Sequence, residues 1–199
     1  MSIIEFIILS IALSFEAMIV MHGCALKNPV KLTKGLGEAF CIAAVNALLL
    51  IAGIWLGNLL RFTPDTLDPS ASSTNSLLTD TDNLVYLGLL ILVAVRLLFR
   101  SGKKSRQVQP YDISRFSTTL LLGVAIGINT LIVGLALGFR IPLGENIWRA
   151  TIPLLIIMTL FALLGLMLGR QQKELRARRY TLFAVLFLLA FALKGAFWG

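Results

Sequence analysis

Six apolar runs, each close to the length a helix needs to cross a bilayer, constrain this chain more than any other feature. They lie at about residues 3 to 22, 37 to 60, 84 to 100, 117 to 138, 150 to 169 and 180 to 198, against the roughly 20 residues that span a hydrocarbon core. A soluble domain of 199 residues has no interior large enough to hide them, since 57% of the chain is hydrophobic, 14% is charged and the mean hydropathy is +0.87. The solvent expected for such a chain is lipid. The fold expected is all-α and integral to the membrane: a single transmembrane domain over residues 1–199 with six transmembrane helices.

The polar stretches between the runs differ in sign, and that sets an orientation. The first connection carries Lys27, Lys31 and Lys34, the third Arg100, Lys103, Lys104, Arg106 and Arg115, and the fifth Arg170, Lys173, Arg176, Arg178 and Arg179. Basic connections stay in the cytoplasm. The second is acidic and polar, with Asp65, Asp68, Asp80 and Asp82 around "PSASSTNS", and reads as a solvated linker. With the short fourth connection it belongs outside, which places both termini outside.

The net charge of +8 therefore follows from topology and implies no nucleic-acid partner, because the basic residues do not line one exposed face. Cys24 and Cys41 have no CxxC spacing and point to neither a disulfide framework nor a structural zinc. The N-terminus has no basic leader and no A-x-A-like cleavage site, so the first run is expected to remain as an anchor.

The two halves of the chain align. "SFEAMIVMHG" in the first span lies over "GINTLIVGLA" in the fourth, setting Glu16 on Asn129, and "IAGIWLG" in the second lies over "LLGLMLG" in the fifth, setting Gly53 and Gly57 on Gly165 and Gly169. Arg96 and Lys194 match near the ends of the third and sixth spans and are expected to snorkel to the headgroups. Each half, residues 1 to 100 and 116 to 199, holds three spans. Three is odd, so the second half enters the membrane from the opposite side, giving two inverted three-helix repeats of the kind transporters use for alternating access. Gly53 with Gly57, Gly123 with Gly127, Gly134 with Gly138 and Gly165 with Gly169 have the spacing that lets helix backbones approach closely.

Glu16 sits near the middle of the first apolar run. An ionised carboxylate there costs about 2.5–3.5 kcal/mol even on lenient scales, a cost leucine would avoid, so an intramembrane acid is read as functional. Asn129, with Thr130 beside it, and Asn46 in the second span are strongly polar side chains at similar depth. Carboxylate and amide oxygens suit a hard or borderline divalent cation; the two asparagines are equally suited to interhelical hydrogen bonding.

Met21, His22 and Cys24 tempt a soft-metal reading. Yet His22 lies about 120° and Cys24 about 80° around the helix from Glu16, so no single face collects the ligands, and His22 reads as an interfacial residue. No nucleophile, general base or phosphate loop is present, so the chain is not expected to be an enzyme.

Ser14-Phe15-Glu16-Ala17-Met18-Ile19-Val20, Gly127-Ile128-Asn129-Thr130-Leu131-Ile132-Val133, Asn46 followed by Gly53-Ile54-Trp55-Leu56-Gly57, Arg96, and Gly165 to Arg170 together resemble the motifs of the manganese efflux pump (MntP-type) family, part of a wider exporter superfamily with the LysE-type amino-acid exporters. The resemblance covers nearly the whole chain. It implies a bacterial inner-membrane transporter in which acids of the first, second and fourth spans handle manganese. Here those positions are Glu16, Asn46 and Asn129, with Thr130 and Ser14 as secondary candidates.

The expectation is thus a secondary transporter exporting a divalent cation, foremost Mn²⁺, with no tightly bound cofactor. The bilayer and the cation are its partners, protons the candidate counter-ion and a homo-oligomer the candidate assembly. Export of a small organic solute, and a non-transporting subunit whose polar residues serve only packing, are the alternatives.

Overall fold

The structure, a computed structural model, describes residues 3–27, 32–60, 74–102, 116–139, 147–171 and 177–197. They form six α-helices: α1 (Ile3–Lys27), α2 (Leu32–Leu60), α3 (Thr74–Gly102), α4 (Phe116–Gly138), α5 (Ile147–Arg170) and α6 (Ala177–Phe197). Among the described residues, α1, α2, α4 and α5 are long and apolar enough to cross a membrane. In α3 and α6 the corresponding apolar stretches are shorter, Leu84–Phe99 and Tyr180–Ala190.

The helices outrun the apolar runs. Lys34 lies inside α2, and Asp80 and Asp82, read from sequence as part of an acidic linker, lie inside α3. Hydropathy marks how much of a helix lipid can hold, whereas the i to i−4 backbone ladder continues wherever nothing breaks it, polar side chains included. Asp65, Asp68 and the basic residues Lys31, Lys103, Lys104, Arg106, Arg115, Lys173 and Arg176 lie outside the described residues.

The principal contacts arrange the helices in two layers of three, α5–α1–α6 and α2–α4–α3. Within the layers α1 lies along α5 and α2 along α4 most extensively. Between them α5 packs on α2 and α6 on α3, while the central helices α1 and α4 touch over only a short stretch. Side chains such as Phe6, Met21, Ile42, Leu90, Ile126 and Leu166 fill the interior. The outward faces are no less apolar: Leu48, Trp55, Leu121, Ile152, Leu160 and Leu186 are exposed. Helices greasy on both faces belong in lipid, not water.

Two glycine seams bring backbones together within the layers. A Cβ placed at Gly53 or Gly57 would collide with the carbonyl oxygens of Leu131 and Leu135 on α4, and one at Gly165 or Gly169 with those of Met18 and His22 on α1. Gly134 and Gly138 face the carbonyls of Leu50 and Ile54 in return. Missing side chains permit this approach.

Candidate functional site between the central helices

Glu16 and Asn129 each lie near the middle of their helices, α1 and α4, and it is there that these helices meet. The Asn129 Nδ2 donates a hydrogen bond of 2.7 Å to the Glu16 Oε2. A donor to a carboxylate forms one of the stronger hydrogen bonds available in low dielectric and offsets part of the carboxylate's loss of water. Phe15, the preceding residue, ties α1 to its neighbours: its ring packs edge-on against Phe161 of α5, with centroids 5.2 Å apart, and lies 5.9 Å from the ring of Tyr180 of α6.

The other end of the Asn129 amide is the more telling. Asn129 is 3% exposed, and its Oδ1 is buried with no hydrogen-bond partner. An orphaned buried acceptor costs about 1–3 kcal/mol, a cost that persists only where strain, an unseen ligand or function explains it. An amide carbonyl oxygen beside a carboxylate is a ligand pair suited to a hard cation.

Asn46 and Thr130 form a second polar group, on the α2–α4 seam. The Thr130 Oγ1 donates to the Asn46 Oδ1 at 2.8 Å, and the Asn46 Nδ2 donates to the Ile42 carbonyl at 2.9 Å and the Gly123 carbonyl at 3.3 Å. Asn46 is 0% exposed. Adjacent residues on α4 therefore serve different neighbours, Asn129 reaching α1 and Thr130 reaching α2. Ser14 belongs to neither group: its buried hydroxyl donates to the Ser10 carbonyl one turn back on its own helix, at 2.6 Å.

Met21, His22 and Cys24 are buried along α1, and the His22 carbonyl lies against Gly169. Among the described residues no three His, Cys, Asp or Glu side chains gather as a metal-binding group. Arg96 is exposed on α3; the Lys194 side chain lies outside what is described.

Two contributors escape sequence reading. The Gly123 carbonyl, which anchors Asn46, has no side-chain signature, and Phe15 reads as one more apolar residue in a greasy run. The aromatic pair Phe15 and Tyr180 is visible only once α1 and α6 are neighbours.

A family described as "Putative manganese efflux pump" (Mntp) has a model that matches residues 69–195. The match takes in Asn129 and Thr130, while Glu16 and Asn46 precede it. No curated protein and no solved structure matches the chain. The family match spans more than half of the 199 residues, and the chain belongs to the manganese efflux pump family.

Proposed function

We propose that this protein is a secondary transporter of the bacterial inner membrane that exports a divalent cation, foremost Mn²⁺, through a site formed by Glu16 and Asn129. The observation that carries the reading is the Glu16–Asn129 hydrogen bond, with the orphaned Asn129 Oδ1 behind it. In the cation-free state the amide N–H occupies the place of a positive charge. An arriving cation displaces it, and rotation of the amide turns Oδ1 toward the ion. Carboxylate and amide then ligate together, and the orphaned acceptor gains its partner. One carboxylate makes a weak site, since ligand charge count sets affinity. Weak binding is compatible with release on the far side.

Six spans in two inverted repeats would let the site face either side in turn. Support comes from the seams. Leu131 and Met18, the carbonyls under Gly53 and Gly165, lie 113 positions apart, as do Leu135 and His22 under Gly57 and Gly169. Glu16 and Asn129 are separated by the same 113 positions. Exchanging α1 with α4, α2 with α5 and α3 with α6 maps the two layers onto each other. Residues that are counterparts can touch only on the axis relating the halves, which is where an alternating site belongs.

The test is metal flux in vesicles holding the full chain, with Mn²⁺, Zn²⁺, Fe²⁺ and Cd²⁺ measured in parallel for wild type and Glu16→Gln. Saturable Mn²⁺ flux that Glu16→Gln abolishes is expected. Equal flux in both proteins, or flux of none of the ions, would overturn the proposal; in the second case a packing subunit is the better reading.

A further inference from the structure

The two glycine seams share a geometry but not a chemistry. Aligned on the carbonyls they cover, Thr130 immediately precedes Leu131 on the α2–α4 seam and Ala17 immediately precedes Met18 on the α1–α5 seam. Seven residues before the leading glycines, Gly53 and Gly165, stand Asn46 and Met158. One seam thus carries a hydrogen-bonded Asn46–Thr130 pair. The matching residues of the other, Ala17 and Met158, are both 0% exposed and have no polar hydrogen to offer.

The Asn46 amide is fully engaged as a donor. Its two N–H groups serve the Ile42 and Gly123 carbonyls and its oxygen accepts from Thr130. Two of those three partners, Gly123 and Thr130, are on α4, seven residues apart and so on one face of that helix. Bonds from one amide to two residues on that face constrain both the height and the rotation of α4 against α2. Rotation of α4 is what determines whether Asn129, next to Thr130, points at Glu16.

We propose that Asn46 is a positioning residue: with Thr130 and the Gly123 carbonyl it latches α2 to α4 and holds Asn129 toward Glu16. This rests on the reading of Glu16 and Asn129 as the cation site.

The test is the Mn²⁺ concentration dependence of flux in vesicles for wild type, Thr130→Val, Thr130→Ser and Asn46→Asp, with Zn²⁺ and Cd²⁺ alongside and Glu16→Gln as reference. Thr130→Val keeps the side-chain shape and removes the donor. It should raise the KM for Mn²⁺ about three- to tenfold, the effect of one hydrogen bond, without changing the order of preference among the metals. Thr130→Ser should restore the wild-type KM. Asn46→Asp loses the donor to Gly123 and should also raise KM. A direct ligand would do the opposite, because a second carboxylate at the ion lowers the KM for Mn²⁺ and reorders the metals; that result overturns the latch even if Thr130→Val does not fold. An unchanged KM in folded Thr130→Val overturns it too. Where wild-type flux is insensitive to Glu16→Gln, the function itself has failed and the latch falls with it; where Glu16→Gln abolishes flux, either contrary result condemns the latch alone.

Discussion

Asn129 turns its amide nitrogen to Glu16 at 2.7 Å and leaves its amide oxygen buried without a partner. The two ends of that amide are separable by substitution. Asn129→Leu removes donor and acceptor together and should raise the KM for Mn²⁺ at least about tenfold, equivalent to ~1.4 kcal/mol. Asn129→Asp supplies a second carboxylate; tighter binding, with a lower KM and a lower kcat as release slows, is expected from the added ligand charge. Vesicle flux against Mn²⁺ concentration measures both, and a KM that rises in Asn129→Asp would speak against direct ligation.

The seams make a sharper stability prediction. A Cβ at Gly53 meets the Leu131 carbonyl, the Leu135 nitrogen and the Gly134 carbon, all backbone atoms that cannot rotate away. Gly53→Ala should therefore destabilise the protein by about 1–3 kcal/mol, as overpacking does. Gly37 and Gly88 have open space around a built Cβ. Alanine there should be neutral or stabilising by up to about 1 kcal/mol through helix propensity. Thermal midpoints in one detergent would rank the three variants, and a Gly53→Ala protein as stable as Gly37→Ala would show that the seam tolerates separation.

These residues also mark how far sequence carries the structure. Glu16 and Asn129 could be set on each other by aligning the halves on hydropathy and small-residue spacing. Whether the two touch depends on how α1 and α4 cross, and no local pattern encodes that. Asn46 is legible as a buried polar residue, but two of its partners are backbone carbonyls, Ile42 and Gly123, which look like every other carbonyl in the chain. Helix ends were the least legible. At Lys34 and Asp80 the helix continues through charged residues, since backbone bonding does not stop where lipid does.

Ser14 tests the boundary of the site. Its hydroxyl is spent on the Ser10 carbonyl of its own helix, a back-bond that replaces no interhelical contact. Ser14→Ala should shift stability by about 1 kcal/mol or less and leave Mn²⁺ flux within about twofold of wild type. A loss comparable to that of Glu16→Gln would bring Ser14 into the ion path after all.

The depth of two helix ends can be read with native fluorophores. Trp55 lies five residues from the end of α2 and Trp148 is the second residue of α5, and both are exposed. On the topology expected from the basic connections, α2 ends and α5 begins on the same side of the membrane, and both indoles are expected in the interfacial belt, where tryptophan is favoured. In variants lacking Trp198, bilayers carrying bromine at shallow positions on the acyl chain should quench this emission more than those brominated near the midplane. Emission from single-tryptophan variants retaining either Trp55 or Trp148 should respond alike. A deep position for one and a shallow position for the other would mean that α2 does not end, or α5 does not begin, at a membrane boundary, and the topology expected from the basic connections would have to be abandoned.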